Sequence, residues 1–579
     1  MQLPVSIKDL RFGLNPALDA WILHFMNENN IDPHINPQEN ASPEQIRFMV
    51  DLQDDQVFAP CSDEMLIRLL ASEPHPELLA QYEQQWKDVT GLIHKYITDP
   101  YIRERVLHMS RYQFDLAKKS LFLIPSRLKK QLTTIFLTQC GTEDPMTDEK
   151  KTYNKRAADF LVHPSTTAYL DACPALPPCL GLNGLRTTTY LIEIKRLLAL
   201  STLKEIWQKD GFTLSETELA RLKQSEAALD ATLEPVISIL NRQKLKIMFL
   251  PDCCGGLMID IQMIRLLLRY GHSVTLALNE GFFFDMPTFW DVEQDMKLEE
   301  ALADALLESR SDLSKNELLA IQRQNNFQVI SNGTRERLNL YRTNVTFARV
   351  WKEADLIVAK GEANYRRLIL NSHSFTCDIF SFYRDNNGKQ HAFFKPRSAR
   401  VRKFTEKQIL VKSEEIMNEM RAAKMRGERV MFYSAIVGSI PGQTSTAITI
   451  LNAFVSHLRA RLEGMYIINP AEYFEQGMDG DDLMFMWEHV QRSGLIDVWR
   501  FQTGADIERS FELMGQKVPS LWTGKDATYS TGCTKEMHIA IEEQQKHPEL
   551  QIIGPDPKKF FRRREYGVGK FFDSSIEKV

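Results

Sequence analysis

Nothing in these 579 residues is apolar for long enough to cross a bilayer. The most hydrophobic stretches, such as 190–200 (YLIEIKRLLAL), are broken by charges at helical spacing. The first residues, MQLPVSIKDLRFGL, lack the basic segment and apolar core of a secretory leader, so a cytoplasmic location is the expectation. Cysteine is sparse: eight residues without a framework spacing, and a vicinal pair, Cys253–Cys254, in place of any CxxC. That excludes a disulfide scaffold and argues against a structural zinc site. Neither sign of charge dominates, with 71 basic against 76 acidic residues and a net charge of −5. Such a balance argues against a chain built to coat nucleic acid.

What remains is the composition of a soluble globular protein, 43% hydrophobic and 25% charged, long enough for two or three domains. Up to residue 240 the pattern is helical, with apolar residues three and four apart over 63–71, 78–97, 103–116 and 214–239, and again from 188. Ser215 with Glu218 three positions later marks a capping box, and Pro174, Pro177 and Pro178 mark a loop. Residues 1–240 therefore read as an all-helical domain. From Lys244 the pattern changes. Short runs rich in Ile, Val, Leu and Phe (244–250, 273–278, 327–331, 355–359) alternate with helical periodicity (259–270, 298–305, 315–323, 340–354). This alternation predicts a doubly wound, mainly parallel α/β sheet over 241–425, with the charged stretch 389–403 separating that core from the rest. A C-terminal α/β section, 426–579, follows, with strands expected at 429–436, 464–469, 495–501 and 551–554. Whether it is a separate domain or extends the same sheet is open at this level.

Four strand ends in the central section carry polar groups. The run KLKIMFLPDCCGGLMID ends in Asp252 and passes through Gly255 and Gly256 into a helical pattern. LALNEGFFFDMPTFWD supplies Asn279, Asp285 and Asp291, and VISNGT supplies Asn332 beside Gly333. DLIVAKGEANYRRL supplies Lys360, Gly361 and Asn364, then Arg366 and Arg367. Parallel strands place their carboxyl ends along one edge, so these groups are expected to meet in one crevice. Two carboxylates with an amide suit magnesium or manganese, which polarises a phosphoryl oxygen and activates water. A lysine supplies a compact charge for phosphate, and glycines let backbone N–H groups approach an anion. Taken singly, each signal is more often a plain turn or helix cap: Asn-Gly is a strong turn signal, and Asp291 reads as a cap. Their succession carries the reading.

On these residues the sequence resembles the metal-dependent damage-control phosphatases. That family's domain was formerly one of unknown function, and it includes a protein once described as an acidic-residue methyltransferase. Its first motif runs Asp-Asn-x-Gly-Glu and then Asp, its second carries an Asp after the next strand, and its third is Lys-Gly-x-x-Asn. Asp252, Gly255 and Asp260 match the first, Asp285 the second, and Lys360, Gly361 and Asn364 the third. The stretch EADLIVAKGEANYRRL matches best, and the resemblance spans roughly residues 240–375. It implies hydrolysis of small phosphorylated metabolites such as sugar phosphates. It also implies a divalent cation (Mn²⁺, Mg²⁺, Co²⁺ or Ni²⁺) held by Asp252, the residue at Cys253, and Asp285. Asp252 and Lys360 would be catalytic, and Gly255, Asn332, Lys360, Asn364, Arg366 and Arg367 would face the substrate.

The departures are specific. Cys253 stands where the family has Asn, Gly256 where it has Glu, and Phe284 precedes Asp285 where many relatives have a polar residue. A thiol is a poor partner for magnesium. Three outcomes are open: Cys253 ligates a softer metal; Asn279, Asp291 or Asn332 substitutes; or hydrolysis is lost, leaving a chain that binds a phosphorylated ligand or a protein partner. A further alternative places the main chemistry in 426–579, on a nucleotide or sugar. There FYSAIVGSIPGQTSTAITIL sets Gly438, Pro441, Gly442 and Thr444 between a strand and a helix, without the Gly-Lys-Ser/Thr ending of a Walker loop. Asp479, Asp481 and Asp482 fit a helix start better than a calcium loop. Lys525, Asp526, Thr531, Cys533 and Lys535 form a polar segment in which the cysteine has no sequence partner for catalysis. The tail PDPKKFFRRREYG, basic with aromatics, reads as solvated or intramolecular.

Overall fold

The computed structural model describes residues 4–31, 43–53, 55–173, 181–241, 244–440, 443–475, 477–565 and 569–572. The proline loop expected at 174–178 and the pair at 441–442 lie outside the described residues. The chain divides into two compact units, Met1–Val401 and Arg402–Val579.

The first unit is built on a seven-stranded sheet: β1 (Lys246–Leu250), β2 (Ser273–Leu278), β3 (Leu306–Glu308), β4 (Phe327–Ser331), β5 (Leu356–Lys360), β6 (Asp378–Arg384) and β7 (Gln390–Lys395). Their spatial order is β3-β4-β2-β1-β5-β6-β7. All neighbouring pairs are parallel except β6 with β7. The four expected central strands are present; β3, β6 and β7 are additional. β7 falls inside the charged stretch expected to separate the core from the rest. As an edge strand with a single neighbour it tolerates flanking lysines, which protect an edge from further pairing. Three-residue β3 is too short to show a period.

The strands are buried on both faces, as a parallel sheet covered by helices requires. Within β1, Met248 and Leu250 enter one core while Ile247 and Phe249 enter the other. The first core takes residues of the helices Pro76–Tyr96, Pro100–Ser120 and Pro125–Cys140. The second takes Leu182–Ser201, Glu216–Leu240 and Gly256–Arg269. The helical N-terminal section thus splits, its two halves sharing cores with opposite faces of the sheet. Proline opens each of the three helices in the first core at a position where its missing N–H is harmless. Ser215 accepts the Glu218 N–H at the start of Glu216–Leu240.

The second unit carries its own parallel sheet, β8 (Arg429–Ser434), β9 (Met465–Ile468), β10 (Val498–Phe501) and β11 (Gln551–Ile553), in the order β11-β10-β8-β9. The C-terminal α/β section does not extend the first sheet. Among the described residues no helix is long and apolar enough to cross a membrane.

Candidate active site

The topology fixes where a ligand would sit. From β1 the chain builds β2, β3 and β4 on one side of the sheet, then returns to build β5 and β6 on the other. The loops leaving β1 and β5 therefore diverge, opening a crevice at the carboxyl ends of these two neighbours. Asp252 follows β1 there, and Lys360 ends β5.

Lys360 Nζ lies 3.2 Å from Asp252 Oδ1 and 2.9 Å from Asp260 Oδ2. Lys360 and Asp260 are buried, whereas the Asp252 side chain keeps 20% of its surface exposed to the crevice. Burial pulls the lysine's pKa down, but the two carboxylates outweigh it and hold the ammonium charged. Burial likewise raises the Asp252 pKa; Lys360, the Cys253 thiol and Arg337 overcome that and keep it below the usual carboxylate range. Asp260, deeper and beside a second carboxylate, is pushed up to about 7, by burial first.

Two glycines make this approach possible. A Cβ on Gly256 would fall 2.5 Å from Lys360 Nζ, so the ammonium occupies space that the Glu of the family motif would claim. At Gly361 the backbone has φ +96, and a Cβ would fall 2.6 Å from that of Asp252. Gly255, at φ +74, lies directly under the indole of buried Trp207.

The loop after β2 closes the next side. Phe284 adopts φ 57, an uncommon conformation for a bulky side chain, and Asp285 follows. The Asp285 carbonyl accepts the Cys254 N–H at 2.7 Å, tying the two acidic turns together. Beneath them the helix Thr147–Leu161 inserts Asn154 and Lys150. Asn154 accepts the Gly255 N–H at 2.6 Å and donates to Asp295 at 2.8 Å. Lys150 bridges Asp144 at 2.5 Å and Asp291 at 3.2 Å. Asp291 therefore serves a buried ion pair, and the Gly255 N–H expected to face an anion is spent on Asn154. Neither Asn154 nor Lys150 carried any signal in the sequence, because the interaction spans a hundred residues or more.

Just past the end of β1 is a small open pocket lined by Leu250, Asn279, Met286, Asn332, Leu338 and Asn364. Asn332 donates to Asn279 Oδ1 at 2.8 Å and accepts the Thr334 N–H at 2.8 Å, so both amide oxygens are engaged. Asn364 gives its N–H to the Lys360 carbonyl at 2.7 Å. Arg366 turns outward into a surface pair with Glu362 at 2.5 Å, whereas Arg367 is buried. Lys129 and Arg337, absent from the sequence reading, complete the surroundings: both lie against the Phe283 ring, at 6.0 and 5.6 Å. Arg337 lies three positions beyond the VISNGT strand end, which was the available clue.

A family model described as the damage-control phosphatase ARMT1-like domain matches residues 59–384. Among solved structures, a DUF89 family protein from Pyrococcus horikoshii aligns at 17% identity and a TM-score of 0.32, covering 54% of this chain and 92% of its own. No curated protein matches.

A divalent cation is implied by that family, and the donors present can be tested against it. Asp252 and Asp285 offer carboxylates. The Cys253 thiol instead donates to Asp252 at 3.2 Å, and burial holds its pKa well above the ordinary thiol value. Among the described residues no three His, Cys, Asp or Glu side chains gather closely enough to cage an ion. A closed all-protein site does not fit. An ion of the magnesium kind does, since it keeps water and phosphate oxygens and needs only one or two carboxylates.

Proposed function

We propose, on the premise that this chain belongs to the ARMT1-like damage-control phosphatase family, that it hydrolyses small phosphorylated metabolites, sugar phosphates among them, at the β1–β5 crevice. The observation that carries this reading is the meeting of Asp252 and Lys360 at the topological switch point, with Asp285 tied alongside through the Cys254 N–H. Asp252 and Asp285 are the carboxylates that would hold the divalent ion, which when bound supplies charge to a phosphoryl oxygen and acidifies water. Lys360, locked between two carboxylates, presents a fixed positive charge that needs no reorganisation when phosphate arrives. Arg367 adds a second positive charge, and Asn364 fixes the loop by holding the Lys360 carbonyl. Leu250, Met286 and Leu338 form the apolar part of the pocket wall beyond the end of β1.

The test is phosphate release from sugar phosphates with Mg²⁺, Mn²⁺, Co²⁺ or Ni²⁺, comparing wild type with Asp252→Ala. Metal-stimulated release is expected in the wild type alone; release no greater than that of the variant defeats the reading. Cys253 and Gly256 favour a second reading, a site that binds the phosphorylated ligand without turning it over. Its signature is ligand binding without release, together with release gained in Cys253→Asn.

A further inference from the structure

The loop that carries Asp285 holds a bulky residue in a backbone shape it does not adopt unaided. Phe284 sits at φ 57, in the left-handed region that suits glycine, and such a side chain stays there only where its surroundings over-determine it. Lys129, on the helix Pro125–Cys140, supplies that hold. Its Nζ lies 3.6 Å from the centre of the Phe284 ring, and the Asp88 carboxylate pairs with it at 2.6 Å. Gln84 donates to the other Asp88 oxygen at 2.8 Å, which fixes that carboxylate in turn. The Lys129 side chain is only 14% exposed, so its ammonium meets the ring largely out of water, where attraction to an aromatic face is strongest. The same ring packs against the small core of Leu92, Met146 and Phe282.

Phe284 and Asp285 are consecutive, so the turn at one sets the direction in which the other leaves the loop. At Asp285 the chain is pinned again, by the Cys254 N–H on its carbonyl at 2.7 Å. The backbone is thus fixed at both residues, while the Asp285 carboxylate makes no hydrogen bond or ion pair among the described residues. Its charge still reaches the turn after β1. Burial first, then neighbouring carboxylates that include Asp285, raise the Cys253 and Cys254 thiols. A carboxylate held by its backbone rather than by its own oxygens keeps both oxygens for a ligand.

We propose that Lys129 is a positioning residue for Asp285: clamped between Asp88 and the Phe284 ring, it holds the left-handed turn that keeps the Asp285 carboxylate beside the Asp252 turn. Lys129 touches neither ion nor substrate in this role. The proposal rests on the reading of Asp285 as a ligand of the divalent ion.

The test is calorimetric titration of the full chain with Mn²⁺ alone, beside its thermal transition without metal. Lys129→Met keeps the stem, removes the charge, and is expected to weaken Mn²⁺ binding about tenfold. Lys129→Arg, still a cation that pairs with Asp88 and covers the ring, is expected to stay within about threefold of wild type. Adding Phe284→Gly to Lys129→Met separates positioning from mere packing. Glycine takes the left-handed turn without a clamp, so affinity is expected to return to within about threefold of wild type although the ring is lost. A residue that only packs the fold predicts further loss instead. If Lys129→Met loses its native thermal transition, Phe284→Leu against Phe284→Gly gives the same comparison. Unchanged affinity in the folded single variant, or no recovery with glycine, overturns the clamp and leaves the metal reading standing. Absence of Mn²⁺ binding by the wild type defeats the metal reading, and the clamp with it.

Discussion

At Lys360 one ammonium is shared between Asp252 and Asp260, and neither Lys360 nor Asp260 has solvent to fall back on. Removing the charge leaves two carboxylates facing each other. Lys360→Met is therefore expected to destabilise the first unit by about 3–5 kcal/mol, measured by denaturant unfolding. A change below about 1 kcal/mol would mean that the triad does not exist as drawn. Gly361 is a second residue-scale test. At φ +96, with Asp252 directly under the missing side chain, Gly361→Ala is expected to cost about 1–3 kcal/mol and to displace Asp252. Unfolding midpoints and phosphate release, which should fall together, check this. Asp252, Lys360 and Asn364 were legible because a strand end, a glycine and a polar group stand together in a few residues. Lys129 and Arg337 were not, since a cation on a helix or loop reads as solvated until the fold shows what it faces.

The helix Thr147–Leu161 shows what one element contributes. Its Asn154 satisfies the Gly255 N–H on one side and Asp295 on the other, both buried. Asn154→Ala leaves the Gly255 N–H without its acceptor, strips one donor from Asp295, which keeps only the Lys297 N–H, and is expected to destabilise by about 1–3 kcal/mol. It also frees the turn carrying Asp252. Any phosphate release should then fall further than in Asn364→Ala, which loosens only the β5 loop. Equal losses would place Asn154 among merely structural residues. Strand and helix alternation made the central elements legible, whereas β3 and β7 were hidden by brevity and by edge chemistry.

For the whole molecule, the second unit has a titrating element of its own. Glu536, buried on the helix Thr531–Lys546, is raised from 4.5 to about 7 by burial, against the opposing hydrogen bonds of Ser434, Gln491 and Cys533. The folded carboxyl stays neutral where the unfolded one has ionised. Its contribution to stability is full below pH 4.5 and is lost as pH rises to about 7, a total near 3 kcal/mol. Glu536→Gln keeps the amide-compatible hydrogen bonding and removes the proton. Denaturant midpoints between pH 4.5 and 8 should fall in the wild type and flatten in the variant; parallel slopes would refute the assignment.

The sequence by itself determined the local chemistry: the four central strands, the helix starts, the acid after β1, and the Lys-Gly-x-x-Asn at the end of β5. These are set by backbone sterics, two- and 3.6-residue periods, and neighbours a few positions apart. Only the tertiary structure decided which distant groups meet. The helices before residue 240 divide between two faces of one sheet because alternate side chains of each strand need separate cores. Lys360 reaches Asp260 because position 256 has no side chain in the way.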